Sequence, residues 1–138
     1  MRTPPAGRIA NGTTRLGREE AQCRQQLRCQ QMNLAKIAIQ TLPKVLSKTL
    51  EQCHWTLKDI DFIVSHQPNE KFLDMGIKAL GLDIKKVSRH AHYLGNMGPA
   101  SLLVCFALEI ERGTIKPNDK VMLMSFGLGF SCGAAALI

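Results

Sequence analysis

Aromatic side chains are scarce in this sequence: five phenylalanines, one tyrosine and one tryptophan among 138 residues. A core built from it must be mostly aliphatic, and few rings are on hand to stack on nucleic-acid bases. No apolar run approaches the roughly 18 residues that span a bilayer, and the N-terminus has no apolar segment of the secretory kind. No membrane partner is expected. Cysteine occurs five times, an odd number, and Cys23 and Cys29 lack the CxxC spacing of a zinc knuckle or a redox pair. With Cys53, Cys105 and Cys132 in apolar contexts, the thiols read as core or incidental groups in a reducing, cytoplasmic setting. Neither a metal nor a disulfide framework is expected.

Acidic residues are also in short supply, 11 against 18 basic ones, which leaves a net charge of +7. The excess is unevenly spread. Residues 1–31 hold six arginines and two glutamates, a net of +4, whereas residues 32–138 carry only +3. Such diffuse charge with few aromatics argues against nucleic acid and suits an acidic protein or a phosphorylated ligand. The 1–31 stretch has Pro4-Pro5, three glycines and little apolar material, and reads as a divergent, basic, flexible leader. At this length, residues 32–138 make one domain.

Within that domain, Leu34, Ile37, Ala38, Leu42, Val45, Leu46, Leu50 and Cys53 recur at helical spacing, with Asn33 placed to cap the start. Pro43 should bend or divide this helix. Thr56 and Asp59 form a capping arrangement, and Ile60 to Ser65 is an apolar strand. Asn69 caps a helix that Gly81 stops. Lys85 to His90 reads as a short strand, and the nearly all-apolar Ala100–Ile110 as a helix buried on most sides. Val121 to Met124 is a strand, joined through a glycine turn to a second from Phe130 to Leu137. Helices alternating with buried strands indicate a layered α/β domain with a mixed β-sheet of about four strands.

Three features carry chemistry. His66 ends an apolar strand, where open α/β folds place functional groups, and imidazole can exchange a proton near neutrality. A structural or solvent-facing histidine fits the local sequence equally. Asn96, between Gly95 and Gly98, could donate its amide to a carbonyl oxygen, or simply shape a turn. The Gly127-Leu128-Gly129 turn could aim backbone N–H groups at an oxyanion, although glycine hairpins are common. It is not a P-loop, since no Lys-Ser/Thr pair follows. These groups can polarise a carbonyl, but no obvious nucleophile accompanies them.

Taken together, DIDFIVSHQPNEKF, YLGNMGPAS and ERGTIKPNDKVMLMSFGLGFSCGAAAL resemble, in order, the C-terminal half of β-ketoacyl-acyl carrier protein synthase III, of the thiolase-like superfamily. The resemblance covers about three quarters of the chain. It implies a thiolase-like half, incomplete relative to a full synthase. In that family an acyl group from acyl-CoA is loaded onto a cysteine of the N-terminal half, then condensed with malonyl-phosphopantetheine on acyl carrier protein. No permanently bound cofactor is implied. The catalytic histidine and asparagine fall on His66 and Asn96, and a supporting asparagine on Asn69. A backbone N–H of the Gly127–Gly129 turn belongs near the acylated cysteine. Carrier-protein docking falls on basic surface, with Lys71 the best local candidate among Lys71, Lys78, Lys85, Lys86 and Arg89.

Departures from the pattern bear on function. Leu128 stands where a glycine is frequent, and Leu94 where the family often has histidine. The nucleophilic half is not within these 138 residues, and Cys132 does not match its position. The resemblance therefore implies a partner supplying the N-terminal half, with homo-oligomers as a further expectation and the chain alone inactive. A non-catalytic assembly or acyl-binding subunit, or a gene fragment, is the alternative.

Overall fold

Residues 36–127 and 131–138 are described by a computed structural model. The leader 1–31, the Asn33 cap and the turn residues Leu128 and Gly129 lie outside the described residues.

Helix α1 covers residues 36–53 and buries Ala38, Leu42, Leu46 and Leu50, one residue per turn along a single stripe. Pro43 does not divide it. A proline removes one N–H from the ladder, but the buried stripe continues on both sides of Pro43 and holds both segments against the same core. His54 ends the helix in the left-handed region, φ 57°, where Trp55 N–H donates to the Leu50 carbonyl at 2.9 Å. The Thr56 backbone N–H and hydroxyl then both donate to Asp59 Oδ2, at 2.7 and 2.6 Å. These bonds hold the Asp59 carboxyl below its ordinary pKa.

Strand β1, Phe62–Ser65, is buried on both faces until its last residue. Helix α2, Glu70–Leu80, starts where Asn69 Oδ1 accepts from Phe72 N–H at 2.9 Å and stops at Gly81, φ 63°. A four-residue helix, α3, Ala91–Leu94, precedes α4, Ala100–Glu111. Strand β2, Val121–Gly127, runs parallel to β1 in the register Phe62↔Val121. Strand β3, Ser131–Leu137, returns antiparallel to β2, from Gly127↔Ser131 to Val121↔Leu137. The sheet order is β1-β2-β3, a mixed sheet with helices on its faces.

Strand alternation sorts the core into two layers. Met122 and Met124 of β2, with Ile63 of β1, meet α1 and α2 through Leu42, Leu46, Leu73 and Ile77. Val121 of β2 and Phe62 and Val64 of β1 face the other way and share a cluster with Cys105 of α4 and Ile115.

Two expectations fail for visible reasons. Lys85–His90 is not a strand: Ile84–Lys86 is a 3-10 turn, and Val87 makes only an isolated parallel bridge to Ile63. Ser88 N–H still reaches the Ile63 carbonyl at 2.9 Å. Beyond that the Gln67 side chain takes the backbone groups, donating to Ser88 O at 2.8 Å and accepting from His90 N–H at 2.8 Å. Nor is α4 buried on most sides. Its buried positions are Ser101, Cys105 and Glu109, whereas Leu103 is 66% exposed and Ile110 48%.

Candidate active site

His66 follows the last residue of β1, and its N–H donates to the Met124 carbonyl at 2.9 Å, one further bond in the parallel ladder. That bond fixes the backbone. The ring is half-buried and meets the edge of Phe126 on β2 at a centroid distance of 4.9 Å. Burial lowers its pKa from the ordinary histidine value, while the Gly98 backbone, acting as a hydrogen-bond acceptor, pushes the other way. The imidazole is thus biased toward its neutral form, whose single ring N–H can go either to the Gly98 backbone or to a substrate oxygen.

That influence means that the Gly98 backbone, at the end of the turn after α3, lies near the His66 ring. Gly95 sits at φ 65°, ψ −159°, a conformation essentially confined to glycine, and Gly98 at φ 58°. Between them Asn96 is exposed, and its Oδ1 accepts from Gly98 N–H at 2.9 Å. The turn-shaping and the donor readings of Asn96 are therefore compatible. Its oxygen fastens the turn, and its NH2 is left for another acceptor.

Asn69 caps α2 through its side-chain oxygen. Lys71, Lys78 and Lys85 are exposed, but the other two basic residues are engaged within the fold. Lys86 Nζ donates to the Ile60 carbonyl at 2.5 Å. Arg89 bridges Asp74 at 2.7 Å and Glu70 at 2.5 Å, an arrangement that raises its pKa. Gly127 closes the β2–β3 pairing opposite Ser131.

Cys132 lies opposite Phe126 and packs with it against the α1–α2 side of the core. Cys105 is buried on the other side, where desolvation raises its pKa and disfavours the thiolate. Beside His66 is a cavity lined by Leu42, Phe72, Gly76, Met124 and Phe126, among others. Its volume of about 30 Å³ suits one water molecule, not an acyl chain. Among the described residues, no group of three or more His, Cys, Asp and Glu side chains is placed to hold a metal ion, and no helix is long and apolar enough to cross a membrane.

Sequence reasoning overlooked a buried polar group next to these residues. Gln67, His90 and Glu109 are 1%, 1% and 5% exposed, although each is polar or ionisable. His90 Nε2 lies 2.8 Å from Glu109 Oε1, and His90 Nδ1 lies 2.5 Å from the Tyr93 hydroxyl. Arg112 donates to that hydroxyl at 3.0 Å. The only signal in the sequence was Gln67 itself, a polar residue continuing an apolar strand.

Both the sequence and the fold match known proteins. The family described as 3-oxoacyl-[acyl-carrier-protein (ACP)] synthase III C terminal matches residues 50–138. The beta-ketoacyl-[acyl-carrier-protein] synthase III of Thermosynechococcus vestitus is 33% identical over 100 residues, 72% of this chain and 30% of its own length. The synthase III of Clostridioides difficile is 34% identical over 102 residues, 74% of this chain and 31% of its own. The chain therefore spans just under a third of these relatives. Among solved structures, the synthase III of Thermus thermophilus superposes with a TM-score of 0.73 at 29% identity, over 77% of this chain and 33% of that one. OleA of Xanthomonas campestris gives 0.75 at 26% identity, over 79% and 32%.

Proposed function

The chain belongs to the family of 3-oxoacyl-[acyl-carrier-protein] synthase III C-terminal domains, and on that premise we propose that it supplies the decarboxylating half of a condensing acyltransferase. The nucleophilic cysteine comes from a complementary thiolase-like half, which is loaded from acyl-CoA. The malonyl group arrives as a phosphopantetheine thioester on acyl carrier protein. As its carboxylate leaves as CO2, the electron pair passes into the thioester and its oxygen becomes enolate-like. His66 and Asn96 donate hydrogen bonds to that oxygen. The carbanion carbon then attacks the acyl thioester, a carbon–carbon bond forms and the cysteine thiolate departs.

The observation that carries this reading is the meeting of His66 with the Gly95–Gly98 turn. A neutral-biased imidazole and an exposed amide stand on adjoining segments, each with its backbone fixed by its own hydrogen bond. Donors held in place beforehand stabilise charge that grows in the transition state more than charge already present in the substrate. Asn69 supports the site by fixing the segment after His66, and the Gly127–Gly129 backbone contributes near the partner's cysteine. Lys71 belongs to the surface that meets the acidic carrier protein in the cytoplasm, an encounter that salt should slow.

The test reconstitutes the chain with the N-terminal half of a related synthase III and follows two steps separately. H66A and N96A should each slow malonyl decarboxylation by about 10²-fold while leaving acylation of the partner's cysteine nearly intact. Equal losses in both steps would refute the assignment.

A further inference from the structure

The short helix α3 cannot account for its own position. It has four residues, and a helix this short does not recover the cost of its nucleation. His90, its N-cap residue, makes no side-chain capping bond. The first amides are instead satisfied from 24 residues away or nearly so: Gln67 Oε1 accepts from His90 N–H at 2.8 Å and from Ala91 N–H at 3.0 Å. The other end of the same side chain donates to the Ser88 carbonyl at 2.8 Å. Gln67 therefore serves as a surrogate cap, with three of its four hydrogen-bonding positions used on backbone groups of one segment.

A second set of side-chain contacts ties α3 to α4 through His90 and Tyr93. Glu109 of α4 holds the His90 ring, the ring meets the Tyr93 hydroxyl, and Arg112 donates to that hydroxyl. Immediately after α3 come Gly95 and Asn96. Gln67 is the residue after His66, so one buried side chain ties the segment bearing the candidate histidine to the segment bearing the candidate asparagine.

We infer that Gln67 is a positioning residue, setting the separation of His66 and Asn96 by clamping the N-terminus of α3, with the His90–Glu109 pair as its counterpart on α4. Its energetic weight follows from burial. Replacing Gln67 leaves two N–H groups and a carbonyl without partners in a dry setting, which the segment can relieve only by moving toward water. Movement of α3 carries the Gly95–Gly98 turn away from the His66 ring. This inference rests on the reading of His66 and Asn96 as paired donors, but it is tested without turnover, so failure of the clamp and failure of that reading appear in different measurements.

Amide hydrogen exchange and imidazole nitrogen NMR on the full 138-residue chain provide the test. In the wild type, the Ala91 amide should exchange far more slowly than an open loop amide. Q67M, similar in volume but unable to hydrogen-bond, should speed exchange across Ala91–Gly98 on the order of tenfold relative to the β1–β2 ladder, and it should shift the His66 ring resonances. Q67E retains acceptor oxygens for His90 and Ala91, so it should keep Ala91 protected. A Q67M protein with normal ladder protection, unchanged Ala91–Gly98 exchange and unchanged His66 resonances would overturn the clamp. Should Q67M not fold, an unprotected Ala91 amide in the wild type would overturn it equally.

Discussion

His66 is distinguished from an ordinary surface histidine by the direction in which its surroundings push it. Burial against Phe126 opposes the charged form more than the Gly98 backbone favours it. An NMR titration should therefore give a midpoint below 6.5, the ordinary histidine value. Between that lowered value and about 6.5 the unfolded chain binds more protons than the folded one, so stability falls as pH falls through this window. H66Q should remove this part of the pH dependence, as read from urea midpoints at pH 5 and pH 7. A midpoint at or above the ordinary value would contradict the burial argument. Asn69 caps α2, and this role can be separated from the supporting role proposed for it in the site. Loss of its cap in N69A should cost about 1 kcal/mol in urea unfolding, and N69D, which keeps an acceptor oxygen, should restore most of it. If N69D recovers stability but not decarboxylation, the amide itself acts in the site; full recovery of both reduces Asn69 to a cap.

At the scale of elements, the backbone after α3 is tightly constrained, with positive φ at both Gly95 and Gly98. Gly95 occupies a region where a side chain costs about 1–3 kcal/mol, although the space around a Cβ there is open. G95A should destabilise the fold by that amount and displace Asn96, so decarboxylation should fall more steeply than the unfolding midpoint. A G95A enzyme with normal decarboxylation would show that Asn96 does not depend on this turn. Elements with local signals were legible in the sequence. Asn69 and Gly81 bracket α2 as expected and Thr56 and Asp59 form their cap; β1 starts at Phe62 rather than Ile60, and β2 runs beyond the expected Val121–Met124 to Gly127. What depends on distant partners was not legible. Lys85–His90 reads as a short strand, yet its Ser88 carbonyl and His90 N–H are claimed by Gln67, a residue about twenty positions earlier. The apolar pattern of α4 gave its helicity but not which of its faces is covered, because composition cannot say whether a neighbouring layer is present. His66 and Asn96 could be named individually, but the nearness of the Gly98 backbone to His66 is made by the fold of the intervening segment.

On the scale of the whole molecule, the described residues leave apolar surface uncovered. Leu103 and Ile110 of α4 are exposed at positions seven apart, on one side of the helix, and Ala107 lies exposed between them. Alternate residues of β3 from Ser131 to Leu137 are exposed as well. Such a surface favours association. The isolated chain should self-associate in sedimentation experiments, and an L103E/I110E double variant should do so much less without losing its fold. A chain that stays monomeric at all concentrations would contradict this. Removing residues 1–31 should change the behaviour little, since that segment has few apolar groups. With a cavity of about 30 Å³ beside His66 and no assigned nucleophile, the chain alone should show no acyl transfer. Mass mapping of an acyl group on Cys132, lost in C132S, would overturn that expectation. The proposed sharing of one developing oxygen charge by His66 and Asn96 is tested by a double-mutant cycle on malonyl decarboxylation by the reconstituted pair of halves. Because both donors address the same oxygen, H66A/N96A should lose clearly less than the product of the two single losses. Fully multiplicative losses, or single variants that decarboxylate at the wild-type rate, would show that the two side chains do not share that oxygen.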